Sequence, residues 1–249
     1  MTHTIAPTAG TRREPPFPVR QFREQALFAA LIWVAYSVIV FIVLAVVSLF
    51  IDIEASGWDV ASQPARWFAF VIGVHLGWSA LQLHVTHGGT RRGFMVQMTG
   101  FILAYAAVLA GLYALSFLAE SGLYALAGWP QALNGPALYE TAFDVPLVLL
   151  QSFLVFALWT VGGLFIAAAW YRNGLLGGLA IPLGLVAISV STYTISGDIG
   201  PMNWVRQFVP PRPGIGPTVL AHAAMFAVFV GLAWLVVRDV PIRNKAAAG

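Results

Sequence analysis

Six stretches of this chain run for about twenty residues with almost no charge, the length an α-helix needs to cross the hydrocarbon core of a bilayer. They cover residues 25–51, 67–85, 97–118, 145–170, 175–195 and 217–237. In lipid each backbone amide must be satisfied within its own segment, so such runs fold as helices, and no β-barrel alternation is visible. Composition agrees. Apolar residues make up 59% of the chain and charged residues 9%, with a mean hydropathy of +0.80. A water-facing surface with so little charge would aggregate. The expected fold class is therefore all-α, a polytopic membrane protein with six transmembrane helices spanning residues 25–237.

Basic residues set the expected orientation, because Lys and Arg near span ends stay cytoplasmic. With the N-terminus inside, the cytoplasmic side holds Arg12, Arg13, Arg20, Arg23, Arg91, Arg92, Arg172, Arg238, Arg243 and Lys245, against Arg66, Arg206 and Arg212 outside. Asp52, Glu54, Asp59, Glu120, Glu140, Asp144 and Asp198 all fall outside on this reading. Both termini are expected in the cytoplasm, with residues 1–24 and 238–249 as cytoplasmic tails. The first apolar run is too long for a signal-peptide core and is expected to be retained as a span. Residues 19–27 read either as a short amphipathic helix at the interface or as the polar start of span one. The outer segments 120–144 and 196–216 are rich in Pro and Gly, and read as a folded cap, short re-entrant helices or ordered loops.

Several chemistries are excluded. The chain has no cysteine, which removes disulfides, thiolate-ligated zinc, iron–sulfur clusters and a Cys nucleophile. Its one lysine is Lys245 in the tail, so there is no P-loop and no ATP site of that kind. No Ser-His-Asp spacing, His-Glu-x-x-His motif or paired intramembrane carboxylate is present, so neither an enzyme active site nor a metal site is expected. With no acid expected inside a span, a proton-driven carrier is disfavoured. The basic residues hug the membrane edge, which leaves nucleic-acid binding without support.

The turn between spans two and three reads His87-Gly88-Gly89-Thr90-Arg91-Arg92-Gly93-Phe94. Its composition predicts a tight turn, with Thr90 as helix N-cap, leading into a short basic helix at the membrane face. It serves either to set topology or to dock on a cytoplasmic partner. The run from Val85 to Phe94 resembles the small-Gly-x-(Ser/Thr)-Arg-Arg-x-Phe turn of permeases in the ATP-binding cassette (ABC-2 type) transporters. A second run, Val161-Gly162-Gly163-Leu164 through Tyr171-Arg172-Asn173-Gly174 to Gly178, is similar to the same permeases. The resemblance implies a membrane-spanning exporter subunit paired with a second permease subunit. ATP and Mg would then sit on a separate ATP-binding subunit and no cofactor on this chain. It makes His87, Gly88, Gly89, Thr90, Arg91, Arg92 and Phe94 the ATPase-coupling turn, and residues 19–27 an interfacial connecting helix beside it.

Within the spans, ionisable residues are functional candidates because lipid penalises them. His75 lies near mid-depth in span two and His222 in span six. One reading has both ligate a haem in a redox subunit. The favoured reading has each bonded to a neighbouring carbonyl, with His75, Trp78 and Gln82 as candidate pathway-lining residues. Gly73 and Gly77 form a Gly-x-x-x-Gly pair that lets another helix approach closely, within the bundle or between subunits. Trp33, Trp67, Trp159, Trp170, Trp204 and Trp234 are read as interfacial anchors. The apolar spans suit an amphipathic or lipid-like cargo in the plasma membrane, and a membrane scaffold stands as the remaining alternative.

Overall fold

The computed structural model describes residues 17–197 and 213–240. The tail charges Arg12, Arg13, Arg243 and Lys245 lie outside the described residues, as do Trp204 and the central part of segment 196–216. The chain folds as α1 (Val19–Val47), α2 (Gly57–Ala61), α3 (Gln63–His75), a π-helical turn (Leu76–Ala80), α4 (Leu81–Thr86), α5 (Arg91–Ala127), α6 (Val145–Arg172), α7 (Gly174–Ser196) and α8 (Ile215–Val237). From α2 to α4 the chain forms one span, and with it six helical stretches are long and apolar enough to cross a membrane. Local signals start the helices. Thr90 and Asn173 cap α5 and α7 through their side chains, and Pro64 and Pro146 open α3 and α6.

The bundle is built around α6. In its most apolar window 83% of the residues are buried, against 11% in α1. Helices α3, α5, α7 and α8 surround it, while α1 lies outside against α5. The closest approach is α3 on α6, where glycines remove the side chains that would separate them. A Cβ on Gly73 would overlap the carbonyl of Thr160, one on Gly77 that of Leu164, and one on Gly163 that of Phe70. The Gly-x-x-x-Gly pair therefore packs within the chain.

Some boundaries differ from expectation. Helix α1 runs unbroken from Val19, so residues 19–27 are the polar start of span one, where Phe22 packs on Phe101 at 6.0 Å. No separate short basic helix follows the turn at 87–90, because Arg91 opens the 37-residue α5. The same helix continues past Leu118 and carries Glu120, fully buried, inside it. An acid does therefore stand within a spanning helix. Its partners lie far off in sequence: Ser56 Oγ donates to it at 2.6 Å, the Trp58 backbone N–H at 2.7 Å and Gln131 Nε2 at 2.8 Å. They tie residues 55–63 and 128–144 into a cap over one end of the bundle. Trp33 and Trp159 are buried rather than interfacial: Trp33 donates to Ser116 Oγ at 2.9 Å, and Trp159 packs on Trp67 at 5.1 Å.

Candidate functional site

Polar groups gather at the two ends of the bundle, and each end holds a cavity. At the end where α4 turns into α5, a vestibule of about 710 Å³ lies between the start of α1, the α3–α4 span and the start of α5. Its walls include Gln21, Glu24, His75, His84, His87 and Gln97. His75 and His87 stand twelve residues apart, which on a regular α-helix points them about 120° away from each other. The π turn between them absorbs one extra residue, worth about 100° of rotation, and brings both onto the vestibule wall.

The turn itself is exposed at its tip and anchored at its base. His87, Gly88, Thr90 and Arg92 face out, whereas Phe94 is fully buried with its ring 5.6 Å from His84. Phe94 therefore holds the turn to the bundle and is not offered to a partner. Gly88 has φ +84°, a backbone state only glycine adopts freely, and a Cβ on Gly89 would overlap the His84 ring. Thr90 Oγ1 accepts the Gly93 N–H at 2.9 Å. Arg91 reaches across the end of the bundle and donates to the Val240 carbonyl at 2.8 Å. From the other basic turn, Arg172 donates to the carbonyls of Leu235 and Val236 at 3.0 and 3.3 Å. Cations at the C-terminal carbonyls of α8 are stabilised by its dipole. The two sequence runs singled out above thus meet on one helix end.

The cap end holds a second polar cavity of about 360 Å³, lined among others by Asp59, Arg66, Asn134, Gln151, Ser191 and Thr192. A smaller pocket of about 30 Å³ beside it adds Ser152, Tyr113 and Tyr139 to the Asp59, Arg66 and Gln151 walls. Asp59 Oδ2 accepts the Asn134 N–H at 2.9 Å, and Gln151 Oε1 accepts the Leu138 N–H at 2.7 Å. The Tyr113 and Tyr139 hydroxyls lie 3.0 Å apart. Burial pushes the Tyr139 hydroxyl up to about 12, so it keeps its proton at neutral pH. At the edge of the cap, backbone N–H groups of Glu140 and Thr141, each 2.9 Å from Asp144 Oδ2, hold that carboxyl below the usual carboxylate range.

Comparison with protein-family models, with curated proteins and with solved structures gives no match.

The geometry separates the candidate residues. His75 faces the vestibule, but Trp78 packs on Tyr171 at 5.7 Å and Gln82 Nε2 donates to the Trp78 carbonyl, so neither lines it. His222 is buried between α7 and α8. Its Nε2 lies 2.9 Å from Ser191 Oγ and its Nδ1 2.9 Å from the Thr218 carbonyl, so both ring nitrogens are engaged. It shares no cavity with His75. Arg66, Asp59 and Gln151 were not singled out as a site by sequence, since each reads alone as a flanking charge or a packing amide. Only the cap, which brings segments 59–66, 113, 134–139 and 151 together, makes them one surface.

Proposed function

We propose that this chain is the membrane-spanning permease subunit of an ABC-2 type exporter, moving an amphipathic or lipid-like cargo with a separate ATPase. One observation carries the reading: the exposed basic turn is the first turn of a single unbroken helix that ends in the cap network. At 1.5 Å per residue the 37 residues of α5 span about 55 Å. Phe94 locks the turn to that helix at one end, and Glu120 and Tyr124 lock it to the cap at the other. A push on the turn is therefore felt at the far cavity. The cavities at opposite ends of one bundle suit alternating access, and the gathering of both basic turns at the end of α8 gives a partner a single face to engage. In this reading His87, Gly88, Gly89, Thr90, Arg91 and Arg92 form the coupling turn on the cytoplasmic side. A second permease subunit completes the transporter, and nucleotide energy reaches the chain through differential contacts with the ATPase.

The test is substitution of Arg92, which is exposed and makes no hydrogen bond or ion pair among the described residues. Arg92→Ala should leave the protein folded and reduce cargo-stimulated ATP hydrolysis by the co-purified ATP-binding subunit by a factor of about two to thirty, the range of coupling energies of about 0.5–2 kcal/mol. Failure of any ATP-binding protein to co-purify, or unchanged hydrolysis in Arg92→Ala, overturns the reading.

A further inference from the structure

The cap-end cavity does not stop at its polar walls. Directly below it an apolar crevice of about 240 Å³ runs along the same three helices and shares Trp159 with it. On α3 the lining passes from Gln63 and Arg66 to Trp67 and Phe70. On α6 it passes from Gln151 and Val155 to Gly162 and Ile166, and on α7 from Thr192 and Ser191 to Ile188 and Ile181. The stretch of α6 from Leu158 to Ile166 rises about 12 Å, close to the roughly 15 Å depth of one leaflet of a 30 Å core. Its walls are hydrocarbon, aromatic or glycine throughout. Trp67, Ile181 and Leu185 on its rim are 57%, 44% and 52% exposed, so the crevice opens sideways toward the bilayer. Trp67 and Trp159, with rings 5.1 Å apart, stand where the polar lining gives way to the apolar one.

The polar end has its own demands. Arg66 and Asp59 line both cap-end pockets, yet they form no ion pair with each other, and Arg66 meets no hydrogen-bond acceptor among the described residues. Gln151 has its oxygen occupied and its NH2 left to donate, and the tyrosine pair keeps one hydroxyl proton after its mutual bond. Among the described residues, a guanidinium and an amide without an acceptor stand beside a carboxylate with one oxygen unused. A purely anionic ligand would meet Asp59 as a like charge, whereas a zwitterion satisfies both sides.

We propose that cavity and crevice together bind one phospholipid with a zwitterionic, amine-bearing headgroup, drawn sideways from the bilayer. Its phosphate sits on Arg66 and Gln151, its ammonium faces Asp59, and an acyl chain fills the crevice past Gly162. As a cargo site this rests on the permease reading; as a binding site it does not, so the purified chain is tested with no ATPase present.

Native mass spectrometry of the chain released from nanodiscs containing phosphatidylethanolamine, phosphatidylglycerol and phosphatidylcholine reads the retained lipid. One phosphatidylethanolamine should be retained in preference to the other two. Arg66→Gln should weaken that retention about tenfold or more, as loss of a charge-assisted contact to phosphate predicts. Asp59→Asn should shift the preference toward phosphatidylglycerol. Gly162→Leu should block all three lipids while the protein stays folded, because a Cβ at Gly162 meets no atom within 4 Å. Soluble phosphoethanolamine should not compete, since it lacks the chain. Equal retention of the three lipids, full competition by the soluble headgroup, or retention untouched by both Arg66→Gln and Gly162→Leu overturns the proposal. The Arg92 test of the permease reading stands apart from each of these results.

Discussion

Glu120 shows how one residue can hold an end of the molecule in place. It is fully buried, and its two oxygens take a serine hydroxyl, a backbone amide and a glutamine amide from two distant segments. A carboxylate in such a place is stable only because every lone pair facing protein finds a donor. Removing it strands two buried donors, the Ser56 hydroxyl and the Trp58 N–H, while Gln131 keeps its bond to the Phe117 carbonyl. Glu120→Ala should therefore cost about 3 kcal/mol, read as a lowered unfolding midpoint in detergent, and should loosen the cap. Glu120→Gln keeps one accepting oxygen and should cost less. An unchanged midpoint in Glu120→Ala would mean that the cap is held by other contacts. Sequence marks this glutamate as the first polar residue after an apolar run, and so as the end of the span. Nothing local says that Ser56, Trp58 and Gln131 will come to meet it.

At the scale of elements, hydropathy alone locates all six spans, because lipid demands long apolar runs and short ones do not suffice. What it cannot supply is which helix sits at the centre. The windows range in mean hydropathy from 1.4 to 2.9, and the most apolar of them, in α1, faces out while α6, at 2.0, is buried. The difference comes from shape: Gly73 and Gly77 of span two lie against the Thr160 and Leu164 carbonyls of α6, and Gly163 of α6 lies against the Phe70 carbonyl of α3. The glycine pair was readable, but its partner was not, since a small-residue stripe fits any helix that offers a matching groove. The packing predicts a sharp contrast between two glycines. Gly73→Val must push α3 off the Thr160 carbonyl and should cost about 1–3 kcal/mol or block folding. Gly162→Ala, whose methyl enters open space, should stay within about 0.5 kcal/mol of wild type. Denaturation in mixed detergent micelles measures both. Equal effects would show that α3 and α6 do not approach through these glycines.

For the whole molecule, on the proposed permease reading, the arrangement of cavities decides what a transport cycle has to move. The vestibule with His75 opens at the end that carries the exposed turn, and the polar cavity with Thr192 lies at the cap end. Between them the packing of α3, α5 and α6 is tight, with Phe101, Tyr105 and Leu109 of α5 fully buried. A chain with no cysteine of its own allows each cavity to be tested by one introduced thiol. On the expected topology, His75→Cys in sealed cells should resist a membrane-impermeant maleimide and react in inverted vesicles. Thr192→Cys should do the reverse. On the permease reading, energising the chain through its ATPase should change the two rates in opposite directions, because closing one end of a bundle pivoting about α6 would open the other. Labelling of either thiol from both sides in the resting state would mean an open channel, and would remove alternating access. Both thiols reacting from the side opposite to that expected would invert the topology, placing the Arg92 turn outside the cell where no ATPase could engage it.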